Sequence, residues 1–270
     1  MPQPAVAVLE AALRVRKLDR TLTTALPSLE RTDAAALVVT DVAALDTCLH
    51  GGLPRGQLSE IAGPRSSGRM TLLLQILAAA ARRGEIAALV DTFDRLDVAS
   101  ACAAGIDLDR VLWIRGQAIT GAQESGPRAQ SPLLDRTLDR ALKALNLVLQ
   151  AGGFGVVAID LADVPLMALK RIPFTTWLRV QRTIEGSDTA CVLVAPEPLA
   201  RSAGGVTLSL AAAAQWAGHS DRSRRLGGLD LTARIVSPRR RVQGDVRVVA
   251  TATDTNHRGT ETQRAEYLGA

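Results

Sequence analysis

The chain has 270 residues, 47% of them hydrophobic and 22% charged, with a formal net charge of +5. That balance excludes wholesale disorder and suits one large α/β domain or two small ones. No apolar run reaches the roughly 18 residues of a membrane helix, and the N-terminus lacks the basic-then-apolar pattern of a signal peptide. Aromatic residues make up only 3%, so Leu, Val, Ile and Ala must build the core. Cys48, Cys102 and Cys191 are odd in number and widely spaced. They predict buried thiols in a reducing cytoplasm rather than disulfides or a zinc site.

In chain order, residues 5–22 place Val6, Leu9 and Leu13 at helical spacing and predict an amphipathic helix. Residues 34–39 predict a short strand. From residue 57 the pattern is regular. Strands are predicted at 58–62, 86–91, 111–114, 156–160 and 190–195, and helices at 71–83, 95–104, 134–149 and 174–185. Short continuous apolar strands alternating with helices imply a mostly parallel twisted sheet covered on both faces. After about residue 196 the helices stop. Strands at 207–214, 230–236 and 245–251 predict an antiparallel C-terminal extension. The expected organisation is an N-terminal helical segment over 1–33 suited to self-association, a core over 34–253 and a flexible tail over 254–270. Residues 116–132, rich in Gly, Gln, Ser and Pro, also read as mobile.

Charge is unevenly spread. Lysine occurs only at Lys17, Lys143 and Lys170, so nearly all basic residues are Arg. From Asp221 to Arg247, eight Arg stand against three Asp. Arg222, Arg224 and Arg225 sit among glycines, and Arg239, Arg240 and Arg241 follow Pro238. Guanidinium groups suit bidentate phosphate contacts, so both clusters are candidate DNA- or partner-binding residues. A solvated Arg-rich surface is the alternative.

The stretch Gly63-Pro64-Arg65-Ser66-Ser67-Gly68-Arg69-Met70 lies between a predicted strand and a predicted helix. Its glycines have the spacing of a phosphate-binding loop, G-x-x-x-x-G-K-[S/T], whose backbone N–H groups face phosphate oxygens at a helix N-terminus. Arg69 stands where Lys is usual, and Met70 where a hydroxyl would ligate Mg²⁺. Arg keeps the charge but is longer and planar. Methionine offers no hard oxygen to Mg²⁺. Thr71 lies about 100° further round the helix.

The surroundings carry a resemblance. Leu45-Asp46-Thr47-Cys48-Leu49-His50-Gly51-Gly52-Leu53-Pro54-Arg55-Gly56, then Leu58-Ser59-Glu60-Ile61-Ala62-Gly63-Pro64, resemble the lead-in of the RecA recombinase superfamily. Residues 86–97 are similar to its second core strand and following turn. Residues 155–160 are similar to its Walker B strand, closing on Asp160. Gly204-Gly205 resembles the end of its second DNA-binding loop. The resemblance spans roughly residues 40–250 and implies a RecA-like core. It also implies a catalytic glutamate two residues beyond Asp91, where this chain has Phe93. A phenyl ring accepts no proton, and Asp94 is displaced by one position. With phosphate clamp, Mg²⁺ ligand and water activator all altered, little hydrolysis is expected. Asp160 then reads either as a Walker B remnant or as a strand-end cap.

Within that superfamily the short form is similar to the ImuA-type branch, also labelled RecA-like or SulA-related. Trp177 to Arg182, Ala195 to Pro198 and Ala214 to Trp216 resemble segments of that branch. The resemblance implies a cytoplasmic, nucleoid-associated bacterial accessory of damage-induced (SOS) mutagenic translesion synthesis. Implied partners are DNA, an ImuB-like homologue of Y-family polymerases, an error-prone replicative-type polymerase and RecA itself. No cofactor is expected beyond weak ATP or a bare anion at Arg65 and Arg69. The alternatives are a divergent RecA-like ATPase or recombinase paralogue and a SulA-type cell-division inhibitor. His50, His219 and His257 are scattered and suggest no metal site. Trp113 is expected to be a packing residue; Trp177 and Trp216 are expected to pack as well, with a binding hot spot as the alternative.

Overall fold

Short apolar segments alternating with helices give parallel strands joined by crossovers, and the fold follows from that order. The computed structural model describes residues 36–117, 132–200, 205–218, 222–237, 242–251 and 265–266. Strands β1 (Leu37–Val38) and β2 (Leu53–Pro54) pair antiparallel and flank helix α1 (Ala43–Cys48) in sequence. There follow β3 (Leu58–Ala62), α2 (Arg69–Arg82), β4 (Ala87–Asp91), α3 (Val98–Ala103), β5 (Val111–Arg115) and α4 (Pro132–Ala151). Then come β6 (Val156–Asp160), α5 (Leu166–Leu169), α6 (Phe174–Ile184) and β7 (Ala190–Ala195). The extension is β8 (Thr207–Ala217), β9 (Arg225–Ser237), β10 (Val242–Thr251) and β11 (Ala265–Glu266).

The main sheet runs β11-β10-β9-β8-β3-β7-β6-β4-β5. Strands β8, β3, β7, β6, β4 and β5 are parallel, and β9, β10 and β11 continue the sheet antiparallel. This is the expected α/β architecture. Side chains of a strand alternate between faces. Ala87 and Leu89 join one core with Leu73, Ile76 and Leu77 of α2. Ala88 and Val90 join a second core with Leu138 and Leu145 of α4 and Trp177 and Val180 of α6. Because both faces are covered, β4, β6 and β7 are buried along their whole length and read as unbroken apolar runs.

Several boundaries shift for local reasons. Helix α2 begins at Arg69 rather than 71, directly after Gly68. Helix α3 begins only at Val98, because the Asp97 carboxylate accepts the Ser100 N–H at 2.9 Å and caps it there. Helices α1 and α5 span 6 and 4 residues and were not expected. Cys191 is buried, but Cys48 is only half-buried and Cys102 is exposed, so the expectation of three buried thiols is corrected. No described helix is long and apolar enough to cross a membrane. The predicted helix over 5–22, most of the 116–132 segment and most of the tail over 254–270 lie outside the described residues.

Candidate functional site

The glycine loop leaves the C-terminal end of β3, where parallel α/β sheets bind ligands. Gly63 N–H donates to Ala195 O at 3.2 Å, which ties the loop to β7. A Cβ on Gly63 would lie 2.5 Å from Leu210 O and 2.6 Å from Ser67 Oγ, so only glycine fits. Ser66 and Gly68 both adopt positive φ, 59° and 83°. The left-handed Gly68 turns the chain into α2, and its carbonyl accepts the Leu72 N–H at 2.9 Å. The Ser67 hydroxyl is buried and has no hydrogen-bond partner among the described residues.

Arg69 opens α2 yet is only 7% exposed. Its Nη1 lies 3.4 Å from Ala162 O, just beyond β6. Burial pushes its proton affinity down, and the charges of Asp160 and Asp163 oppose that effect. Arg65 reaches Asp163 at 3.8 Å across the same loop. Two pairs of residues that are far apart in sequence thus form one cluster, Arg65 and Arg69 with Asp160 and Asp163. Both arginines of the expected anion loop face carboxylates of the chain itself.

Asp160 closes β6 and lies opposite Asp91 of β4 in register. Its carboxylate accepts the Ala162 N–H at 2.8 Å, the strand-end cap that one reading of the sequence foresaw. Burial pushes its pKa up to about 6, helped by Asp91 and Asp163 and opposed by the Ala162 N–H and Arg69. Asp91 is fully engaged. It accepts Arg95 N–H at 2.9 Å, Leu96 N–H at 2.8 Å and Trp113 Nε1–H at 3.1 Å.

Phe93 does not face the loop cluster. It is buried in the α4-side core. Asp94, at φ 57°, pairs with Arg115 through two bonds of 2.7 and 2.8 Å. That guanidinium holds the Asp94 carboxyl below its usual range. Met70 packs against the α2-side core. Neither residue supplies a base or an oxygen ligand.

The second candidate surface lies at the β8–β9 connection. Arg222, Arg224 and Arg225 are exposed there, with Arg225 already the first residue of β9. The Arg224 guanidinium sits 5.2 Å from the ring centroid of Trp216. Trp216 is 56% exposed and pairs in register with exposed Leu226. The expectation that Trp216 is a packing residue is therefore corrected, whereas Trp177 is buried. Trp113 is half-buried, bonded to Asp91 and covered by Arg115 at 4.6 Å. Part of the Arg excess is neutralised within the sheet. Arg234 pairs with Asp245, and Arg247 with Asp230. Arg239, Arg240 and Arg241 lie outside the described residues, as does Gly204.

Sequence reasoning missed Asp163 and Glu60. A carboxylate three residues beyond Asp160 was the available signal for the first. The second gave none, because Glu60 lies inside a short apolar strand.

Residues 16–125 match the RecA N-terminal domain. Protein RecA of Symbiobacterium thermophilum is 36% identical over 125 residues, 46% of this chain and 30% of the relative. Protein RecA of Methylococcus capsulatus is 38% identical over 125 residues, with the same shares. Protein RecA of Nostoc punctiforme is 50% identical over 68 residues, 25% of this chain and 19% of the relative. The matched segment thus spans less than a third of the length of these relatives. The matched domain and these relatives make residues 16–125 similar to the N-terminal domain of RecA recombinases.

Proposed function

We propose that the protein is a non-catalytic RecA-like accessory of damage-induced mutagenic translesion synthesis, of the ImuA type. On this reading its degenerate phosphate loop is a scaffold element, and it works by binding DNA, polymerase partners or both. One observation carries the reading: the Arg69 guanidinium is buried against Ala162 O and the charges of Asp160 and Asp163. Phosphoryl transfer needs a cation free to hold the terminal phosphates, an oxygen ligand for Mg²⁺ and a group that orients water. Here the cation is turned inward, Met70 lies half-buried against the α2-side core, and Phe93 lies on the other face of the sheet. This donor set does not fit Mg·ATP. The exposed Arg222, Arg224, Arg225 and Trp216 supply a surface for phosphates and bases or for an acidic partner segment. The partners of this reading are an ImuB-like homologue of Y-family polymerases and an error-prone replicative-type polymerase.

Steady-state ATP hydrolysis with and without single-stranded DNA is the test. Turnover at background in both conditions is expected. DNA-stimulated turnover that disappears in Gly68→Asp would instead establish a divergent RecA-like ATPase. Co-purification with a Y-family polymerase homologue after DNA damage tests the partner half of the reading.

A further inference from the structure

Helix α6 carries an apolar stripe that outruns the core. Phe174, Trp177, Val180 and Ile184 recur at spacings of three and four and so share one face. Trp177, Val180 and Ile184 are buried, but Phe174, the first residue of the helix, is 44% exposed. Beside it lies a groove of about 390 Å³. One wall is the turn Ile172-Pro173-Phe174, and the other is Pro198-Leu199 beyond β7. Met167 on α5 is 64% exposed, and three residues later Lys170 lines the same groove. Residues three apart lie on one side of a helical turn. The patch thus holds a hole and two apolar knobs, and exposed apolar groups gathered in this way mark an interaction surface.

The charges of this patch cancel. Lys170 faces Glu197 at 3.8 Å, and Arg171 meets Asp135 at 2.6 Å. The chain as a whole is +5. A phosphate-bearing or acidic partner is drawn to the exposed arginines at the β8–β9 connection, not to a neutral patch. A neutral apolar patch suits a copy of itself. A two-fold contact requires one patch to hold both halves of every interaction, knob with hole and cation with anion. This patch holds both. Lys170 and Glu197 stand on opposite walls, both more than half exposed and at the far limit of pairing. Such a pair contributes little within one chain, so exchanging its partners costs little.

We infer that this face joins two copies of the chain in a closed two-fold dimer. Phe174 of each copy enters the groove of the other, and Lys170 of each pairs with Glu197 of the other. The dimer is independent of the glycine loop and of the surface around Trp216.

Sedimentation velocity of the nucleic-acid-free full chain, from about 1 to 100 μM, tests the inference. A concentration-dependent dimer is expected. Phe174→Glu and Met167→Glu change exposed side chains and should each raise the dissociation constant about tenfold or more, with circular dichroism unchanged. The charged pair tests the geometry. Lys170→Glu and Glu197→Lys each set like charges against one another across the axis, and each alone should weaken association. Mixed in equal amounts, the two variants should associate again, because each then meets the opposite charge on the other copy. A pair made within one copy gives no such rescue. The inference is overturned if the wild type stays monomeric over this range, if its mass keeps growing beyond two copies, or if the dimer withstands Phe174→Glu. A monomer that captures a polymerase partner through Phe174 would give the groove to that partner instead. Failure of the mixed charge variants to associate also overturns the inference, and it decides the matter if Phe174→Glu does not fold.

Discussion

Glu60 of β3 and Thr207 of β8 face each other in register across the sheet, and Thr207 Oγ1 donates to Glu60 Oε2 at 3.1 Å. The other carboxylate oxygen accepts the N–H groups of Leu199, at 2.8 Å, and Ala200. One buried side chain thus fastens both stems of the segment that joins β7 to β8. Ser59 helps by accepting the Val206 N–H at 3.2 Å. Removing the carboxylate strands three donors. Glu60→Ala should lower stability by about 2–4 kcal/mol, read from the urea midpoint. It should also speed proteolysis between residues 199 and 207. An unchanged midpoint would show that water replaces the clamp without cost.

Asp160 gives stability a distinctive dependence on pH. Its folded pKa, pushed up to about 6, lies above the ordinary aspartate value of 3.8. The folded state therefore holds this proton more tightly than the unfolded chain. That contribution is fully present below pH 3.8 and is lost as pH rises through about 6. The two-unit separation corresponds to about 3 kcal/mol. Asp94, Asp97 and Asp230 have lowered pKa values, so their contributions run the opposite way and fade as pH falls. Asp46 is raised by burial and adds to the Asp160 slope. Asp160→Asn isolates the effect. The stability of wild type relative to this variant should fall by about 3 kcal/mol between roughly pH 4 and pH 7. A difference that stays flat across this range would mean that Asp160 is ionised throughout.

Phe93 tests whether the lost glutamate position can be refilled. The side chain is 6% exposed and belongs to the α4-side core. Phe93→Glu both opens a cavity and buries a carboxylate. It should cost about 3–5 kcal/mol in chemical denaturation and produce no ATP turnover. Turnover gained without loss of stability would show that the position rotates toward the loop.

The sequence disclosed the sheet because strands buried on both faces are unbroken apolar runs, as at Val156 to Asp160 and Ala190 to Ala195. It did not disclose α1 or α5, since 6 and 4 residues are too few to show a helical period. The odd residue Arg69 was visible, but its inward course was not. Its neighbours Asp160, Ala162 and Asp163 are more than 90 positions away, and only the crossover topology brings them together. Trp216 misled for a related reason. Apolar residues usually mark burial, but β8 runs past the covered part of the sheet, and from Ala213 to Ala217 it is exposed on both faces.

That exposed end of β8 carries the last prediction. Trp216 is 56% exposed beside three arginines, Arg222, Arg224 and Arg225, and the Arg224 guanidinium lies 5.2 Å from its ring centroid. A single-stranded nucleic acid can stack a base on such a ring while its phosphates meet the guanidinium groups. Base stacking is worth about 1–3 kcal/mol, so Trp216→Ala should weaken single-stranded DNA binding about fivefold or more. Neutralising Arg222, Arg224 and Arg225 together should weaken it further. It should also flatten the slope of log affinity against log salt by about 2, since each phosphate contact on a single strand contributes about 0.7. Both variants change exposed side chains, so the thermal midpoint should move little. Fluorescence anisotropy across a salt series reads all of this. If DNA binding is unchanged in both variants while capture of a polymerase partner fails, the surface is a protein interface. If neither changes, Trp216 and the arginines are solvated surface alone, and DNA must bind elsewhere on the chain.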